Sequence, residues 1–125
     1  MKSIKTRYFI ILLMLIALSC KQQPNLPDPL AAGWKGHKVC KILEDNDDIR
    51  ILKCTFPPGV GHEKHRHKPH FGYTLSGSKF RMEDENGVKE VDVPTGYNFY
   101  KDSITIHEAE NIGDSTAVFL IIEPK

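Results

Sequence analysis

Long apolar runs, paired cysteines, helical periodicity and an excess of one charge are all missing from this 125-residue chain. Each absence removes a class of protein. The longest apolar stretch, Tyr8 to Leu18, has eleven residues, whereas a membrane helix needs roughly 20 to cross ~30 Å of hydrocarbon, so a polytopic membrane protein is excluded. None of the three cysteines stands in a C-x-x-C pair, which argues against cysteine ligation of a metal. With 17 Lys+Arg against 16 Asp+Glu there is no basic footprint for nucleic acid. The length suits one domain, and 40% apolar with 26% charged residues is the composition of a chain that folds around a core.

The N-terminus has the layout of an export signal. Lys2, Lys5 and Arg7 precede the eleven apolar residues with no acid among them. Ala17-Leu18-Ser19-Cys20 then resembles the lipobox of bacterial lipoproteins, with Ala17 and Leu18 in the reverse of their usual order. The resemblance implies that residues 1–19 are removed, that Cys20 is acylated, and that the protein is held by lipid at the cell envelope, in the periplasm or at the cell surface. Residues 20–32 then read as the lipidated cysteine and an extended tether, since Lys21 to Pro29 holds three prolines and no periodicity. The domain is expected over 33–125. Loss of 1–19 leaves 14 Lys+Arg against 16 Asp+Glu, a net charge of −2 with histidines neutral.

The domain reads as short strands broken by turns, the all-β pattern of a barrel or sandwich. Strands are expected at 38–43, 49–56, 62–67, 71–75, 79–84, 88–93, 98–100, 105–109 and 116–123. Asn86-Gly87 has the residues of a type I′ hairpin turn. Cys40 and Cys54 flank an acidic turn and would face each other across a hairpin. Export permits a disulfide between them, and two buried free thiols are the alternative.

Four of the six histidines fall between His62 and His70. On an extended strand His65 and His67 share a face. Pro69 interrupts that strand, so His70 can return to the same pocket from the next one. His107 is the only histidine downstream. Alternation places His62 on the opposite face, in a supporting position or in solvent, and likewise turns Glu63 and Glu108 to solvent. His37 is remote, and Asn111 is read as capping a turn. Most aromatics belong to the core; Phe99 and Tyr100, with Tyr73, are the candidates for a pocket lining.

These residues resemble the cupins, whose first motif is G-x5-H-x-H-x(3,4)-E-x6-G and whose second is G-x5-P-x-G-x2-H-x3-N. Gly59, His65, His67 and Gly77 fit the first, and Pro94, Gly96, His107 and Asn111 the ends of the second. No glutamate follows His67 at either permitted place; His70, seven residues before Gly77, stands in its stead. Ten residues separate Gly96 from His107 where the family has two, which requires an inserted strand or bulge.

The resemblance implies a single-domain jelly-roll β-barrel holding one divalent transition metal through His65, His67, His70 and His107. A set of imidazoles suits Fe, Zn, Cu or Ni, with Fe first. It further implies a small oxygenated ligand or substrate and a mononuclear dioxygenase, with a metal-dependent isomerase or a non-catalytic binding or sensing domain as alternatives. Pairing of two barrels into a homodimer is common in the family. The carboxylate base of other cupin sites is absent, so proton transfer would fall to Tyr73, Tyr97, Tyr100, Glu108 or a metal-bound hydroxide. Metal release is expected below about pH 6.5, the ordinary imidazole value.

Overall fold

A computed structural model describes residues 25–125. The signal stretch 1–19, Cys20 and the first residues of the expected tether lie outside the described residues. The described chain is β throughout: β1 (Gly33–Trp34), β2 (His37–Lys38), β3 (Cys40–Asp45), β4 (Ile49–Phe56), β5 (Gly61–His67), β6 (His70–Ser76), β7 (Ser78–Asp84), β8 (Gly87–Val93), β9 (Asn98–Lys101), β10 (Thr105–Asn111) and β11 (Ala117–Pro124). Apart from the β1–β2 hairpin, these strands make a four-stranded sheet in the order β5-β10-β7-β8 and a five-stranded sheet in the order β3-β4-β11-β6-β9. All pairings are antiparallel, and strands distant in sequence lie side by side, as in a jelly roll. No ladder joins the two sheets, so the jelly roll is a two-sheet sandwich rather than a closed barrel.

The core follows from strand alternation. On β4 the side chains of Leu52, Cys54 and Phe56 turn inward, and on β11 those of Ala117, Ile121 and Glu123. Phe56 and Phe119 from the larger sheet meet Phe80 from the smaller one edge-on, with ring centroids 5.6 to 6.0 Å apart. This geometry suits the aromatic quadrupole, and each buried ring contributes about 1.5–3 kcal/mol by leaving water. Cys40 and Cys54 stand opposite each other in the β3–β4 ladder, and their sulfurs are joined as a disulfide with the Cα atoms 4.0 Å apart.

One turn expectation changes, while the inserted strand expected between Gly96 and His107 is present. The β7–β8 connection is Glu85-Asn86, one residue earlier than Asn86-Gly87, because Asp84 pairs with Gly87. Gly87 alone takes positive φ, at 111°, whereas a type I′ turn needs it at both central residues. The insert between Gly96 and His107 contains β9, which extends the larger sheet by pairing with β6.

The tether expectation also changes from residue 27 onward. Pro29 is fully buried and Ala32 is 3% exposed. The Pro27 carbonyl accepts from the Arg66 N–H at 2.9 Å, which attaches this segment to the free edge of β5. Asp28 pairs with Arg50 at 2.8 Å. Proline-rich composition marks an extended path, and here that path is a strap packed on the domain.

A buried amide closes the opposite end. Asn111 donates to the carbonyls of Phe56 and Ser115, both at 2.8 Å, and accepts from the Ser78 hydroxyl and the Gly113 N–H. Its role is to clamp the β10–β11 turn.

Candidate metal centre

Strand β5 carries three of the histidines, and its register against β10 decides where they point. Thr105 pairs with His67, Ile106 with Arg66 and His107 with His65, but the next pair is Ala109 with His62. Two residues of β5, Glu63 and Lys64, therefore oppose the single residue Glu108. This is a β-bulge, and it shifts the alternation by one place. Both of these β5 residues are exposed, and His62 turns inward, onto the face of His65 and His67. The expectation that His62 lies on the far face is thereby overturned.

The inward histidines form one packed group. His65 is fully buried, His62, His67 and His70 are each under 5% exposed, and His107 is partly buried. Ring nitrogens of His65, His67 and His107 all lie within 4.8 Å of one another, close enough for one ion to bind all three. His107 crosses His65 edge-on with centroids 4.7 Å apart. His62 lies against the other side of His65 at 3.7 Å, and His70 stacks on His67 at 4.4 Å. The structure thus brings together three of the four expected ligands and places His70 beside them as a packing partner.

The hydrogen bonds fix which nitrogens are available. His65 Nδ1 donates to the Glu63 carbonyl at 2.7 Å, so its Nε2 presents a lone pair to the group. His67 Nε2, 2.8 Å away, then donates to it. That leaves His67 Nδ1 as a buried acceptor without a partner. The Glu63 carbonyl is the usual kind of group that orients a ligating histidine. His62 Nε2 is committed to the Pro29 carbonyl at 2.9 Å, so the strap secures the histidine that backs His65. His70 Nδ1 is committed to the Lys68 carbonyl at 2.7 Å.

Electrostatics keep the group neutral, the state a metal requires. Burial pushes His65 and His107 down to about 3 and His62 to about 4. Burial also lowers His67 strongly, reinforced by the charge that protonated His65 and His107 would place beside it, and burial lowers His70. His62, His65 and His107 therefore stay uncharged well below pH 6.5, and the expected acid release moves to lower pH. The donor set of neutral imidazoles fits a divalent transition metal such as Fe, Zn, Cu or Ni and disfavours hard, oxygen-seeking ions.

The candidate pocket lining divides. Phe99 faces inward, edge-on to His70 with centroids 5.7 Å apart. Its ring occupies the space where any side chain at Gly72 would stand, which explains that glycine in an otherwise bulky strand. Tyr73 and Tyr100 are 37% and 62% exposed and lie on the outer face, because the inward places of β6 and β9 belong to His70, Gly72, Thr74 and Phe99. Tyr97 is exposed, and Glu108 lies on the outer face opposite Glu83.

Comparison with known proteins agrees with this architecture. No curated protein matches the chain in sequence. Among solved structures, a cupin domain from Bordetella pertussis Tohama I is 21% identical, with 82% of this chain and 99% of that one covered at a TM-score of 0.65. A polyketide cyclase from Streptomyces resistomycificus is 19% identical, covering 68% of this chain and 63% of that one at a TM-score of 0.56. A predicted oxalate decarboxylase from Thermotoga maritima is 23% identical, covering 66% and 76% at a TM-score of 0.52. These likenesses are of fold. The profile of the cupin domain family matches residues 52–123, more than half the chain and all of the histidine group, and the chain belongs to that family.

Proposed function

We propose that this is an exported cupin, tethered to a membrane through Cys20, in which His65, His67 and His107 hold one divalent transition metal, iron first. We assign it the activity of a mononuclear metal-dependent dioxygenase acting on a small oxygenated molecule. The observation that carries the metal is the convergence of ring nitrogens of two buried histidines and the partly buried His107 within 4.8 Å of one another. The Cys40–Cys54 disulfide supports an oxidising compartment and hence export. Two proteins of similar fold bear enzyme names, the polyketide cyclase and the predicted oxalate decarboxylase, which supports a catalytic reading.

Bound iron would supply a Lewis acid able to take substrate oxygens and O2 together. The protein's own part is to orient His65 through the Glu63 carbonyl and to hold the imidazoles neutral. A second reading, a binding or sensing domain without turnover, is favoured by a specific observation. Tyr73, Tyr97, Tyr100 and Glu108, the candidate proton carriers, all lie away from the histidines. The same observation weighs against an isomerase, which needs a proton shuttle.

Nitric oxide separates the two without knowledge of the substrate. The full-length chain, loaded with Fe(II) in detergent under anaerobic conditions, should give the high-spin iron–nitrosyl resonance of an open site, and His107→Ala should abolish it. Tight iron binding with no nitrosyl signal would refute the oxygenase and leave the binding domain.

A further inference from the structure

The outer faces of the two sheets differ in kind. On the smaller sheet β7 turns Lys79 and Arg81 outward, where they pair with Glu90 of β8 and Glu110 of β10 at 3.0 and 2.9 Å. That is the polar outside of an antiparallel sheet whose other face lies on the core. The larger sheet turns apolar rows outward instead. Its ladders align Ile51, Ile122, Phe71 and Tyr100 across β4, β11, β6 and β9, and set Leu120 beside Tyr73 in the next row. None of these six side chains is buried. The described chain has no third layer to cover them, since its remaining hairpin, β1–β2, lies against β5 of the other sheet. Single apolar residues at a surface are ordinary, but a contiguous patch on a rigid sheet marks an interface.

Charges close both rows at the β3 end. Glu44 of β3 stands beside Ile51, and Lys41 of β3 stands beside Lys53 of β4 in the row of Leu120 and Tyr73. Two lysines directly opposite each other on neighbouring strands repel. Among the described residues neither lysine has an ion-pair partner, and neither has Glu44.

We propose that this face docks a second copy of the chain, sheet on sheet, about a two-fold axis that lies in the interface and crosses the strands between the two rows. Such an axis sets each row over the other row of the second copy, strand by strand. Glu44 then meets Lys41 of the second copy, twice by symmetry. Ile122 meets Leu120, Phe71 meets Tyr73, and the stem of Lys53 covers Ile51, while Tyr100 falls at the rim, where a contact contributes little. The alternating charge at β3 is what a copy of the same face answers and an anionic lipid surface does not. The area agrees. Five strands about 4.8 Å apart at about 3.3 Å per residue present about 500 Å² in projection, and side-chain relief brings this toward the roughly 800 Å² per partner that a specific interface buries.

The test is the mass of the full-length chain by sedimentation equilibrium, in a detergent matched in density to the solvent. The parent should be a dimer. Leu120→Glu, which puts a charge at the centre of the face, should weaken association by about a hundredfold or more. Lys41 and Glu44 are exposed, so their variants leave the fold intact. Lys41→Glu and Glu44→Lys should each weaken the dimer by about tenfold, because two attractions become repulsions. The double variant carrying both reversals should restore it, a rescue that a merely structural role would not give. Arg81→Glu on the other sheet should leave association unchanged. A monomeric parent, which would leave the face to a lipid surface, would overturn the proposal. So would a dimer indifferent to Leu120→Glu, or one that the double reversal does not rescue.

Discussion

The interior of this sandwich has two ends built on the same plan from different materials, and they meet where the Phe56 ring lies 5.7 Å from that of His62. At one end, inward positions of facing strands hold Phe56, Phe80 and Phe119 above the clamp of Asn111. At the other they hold His62, His65, His67, His70 and His107. Both ends are packed against facing strands, but the phenyl rings gain free energy by burial, while burial penalises the charged form of each imidazole. The aromatic end carries stability, whereas the histidine end gains little from burial and fits the metal binding proposed for it.

The comparison can be broken first at the aromatic end. Phe56→Ala should destabilise the protein by about 3–5 kcal/mol, read from the urea midpoint, because it removes the ring that touches both Phe80 and Phe119. An effect under about 1 kcal/mol would show that the core lies elsewhere. Replacing Cys40 and Cys54 together by Ser should cost about 3 kcal/mol, the figure for closing a loop of this length, and the loss should match the effect of reductant on the parent.

Acid should act through the histidine end. In the folded metal-free chain His62, His65 and His107 sit near 4, 3 and 3, whereas unfolded they titrate near 6.5. Between those values the unfolded chain binds more protons, so stability is complete above about pH 6.5 and falls as pH drops toward 4 and then 3. Each such histidine contributes a slope of up to about 1.4 kcal/mol per pH unit. Urea midpoints of the metal-free protein from pH 7 to 4 measure this, and a flat profile would mean that the imidazoles are hydrated. The smallest effect is expected at Tyr100→Ala, within about 0.5 kcal/mol and with metal content unchanged, since this side chain is 62% exposed.

The difference between the ends also marks what the sequence could reveal. Strand positions were legible because Pro, Gly, Ser, Asn and Asp punctuate runs of alternating character, and all nine expected strands exist with ends shifted by a few residues. Folding the chain about the acidic turn also set Cys40 opposite Cys54, and the structure decides for the disulfide over free thiols. His65, His67 and His107 were legible from spacing within two motifs far apart in the chain. Alternation failed at His62 because it assumes an unbroken ladder, and the bulge at Glu63 and Lys64 appears only when β5 is laid against β10. The strap was read as a tether because prolines lack the periodicity that signals packing, yet Pro29 is buried and its carbonyl holds His62. Tyr73 and Tyr100 were misplaced for a simpler reason: their proximity in sequence to inward residues says nothing of the face once Gly72 and Phe99 take the inner positions.

The proposed centre uses three of these histidines, and not the whole group, to hold a metal. Elemental analysis of the full-length chain, purified without chelator or affinity tag and compared with His65→Ala, His107→Ala and His70→Ala, tests it directly. The account predicts one transition-metal ion per chain in the parent and in His70→Ala, and almost none in the other two. Metal lost equally from His70→Ala would restore a four-histidine site, and a parent that stays empty after reconstitution with Fe, Zn, Cu and Ni would contradict the account.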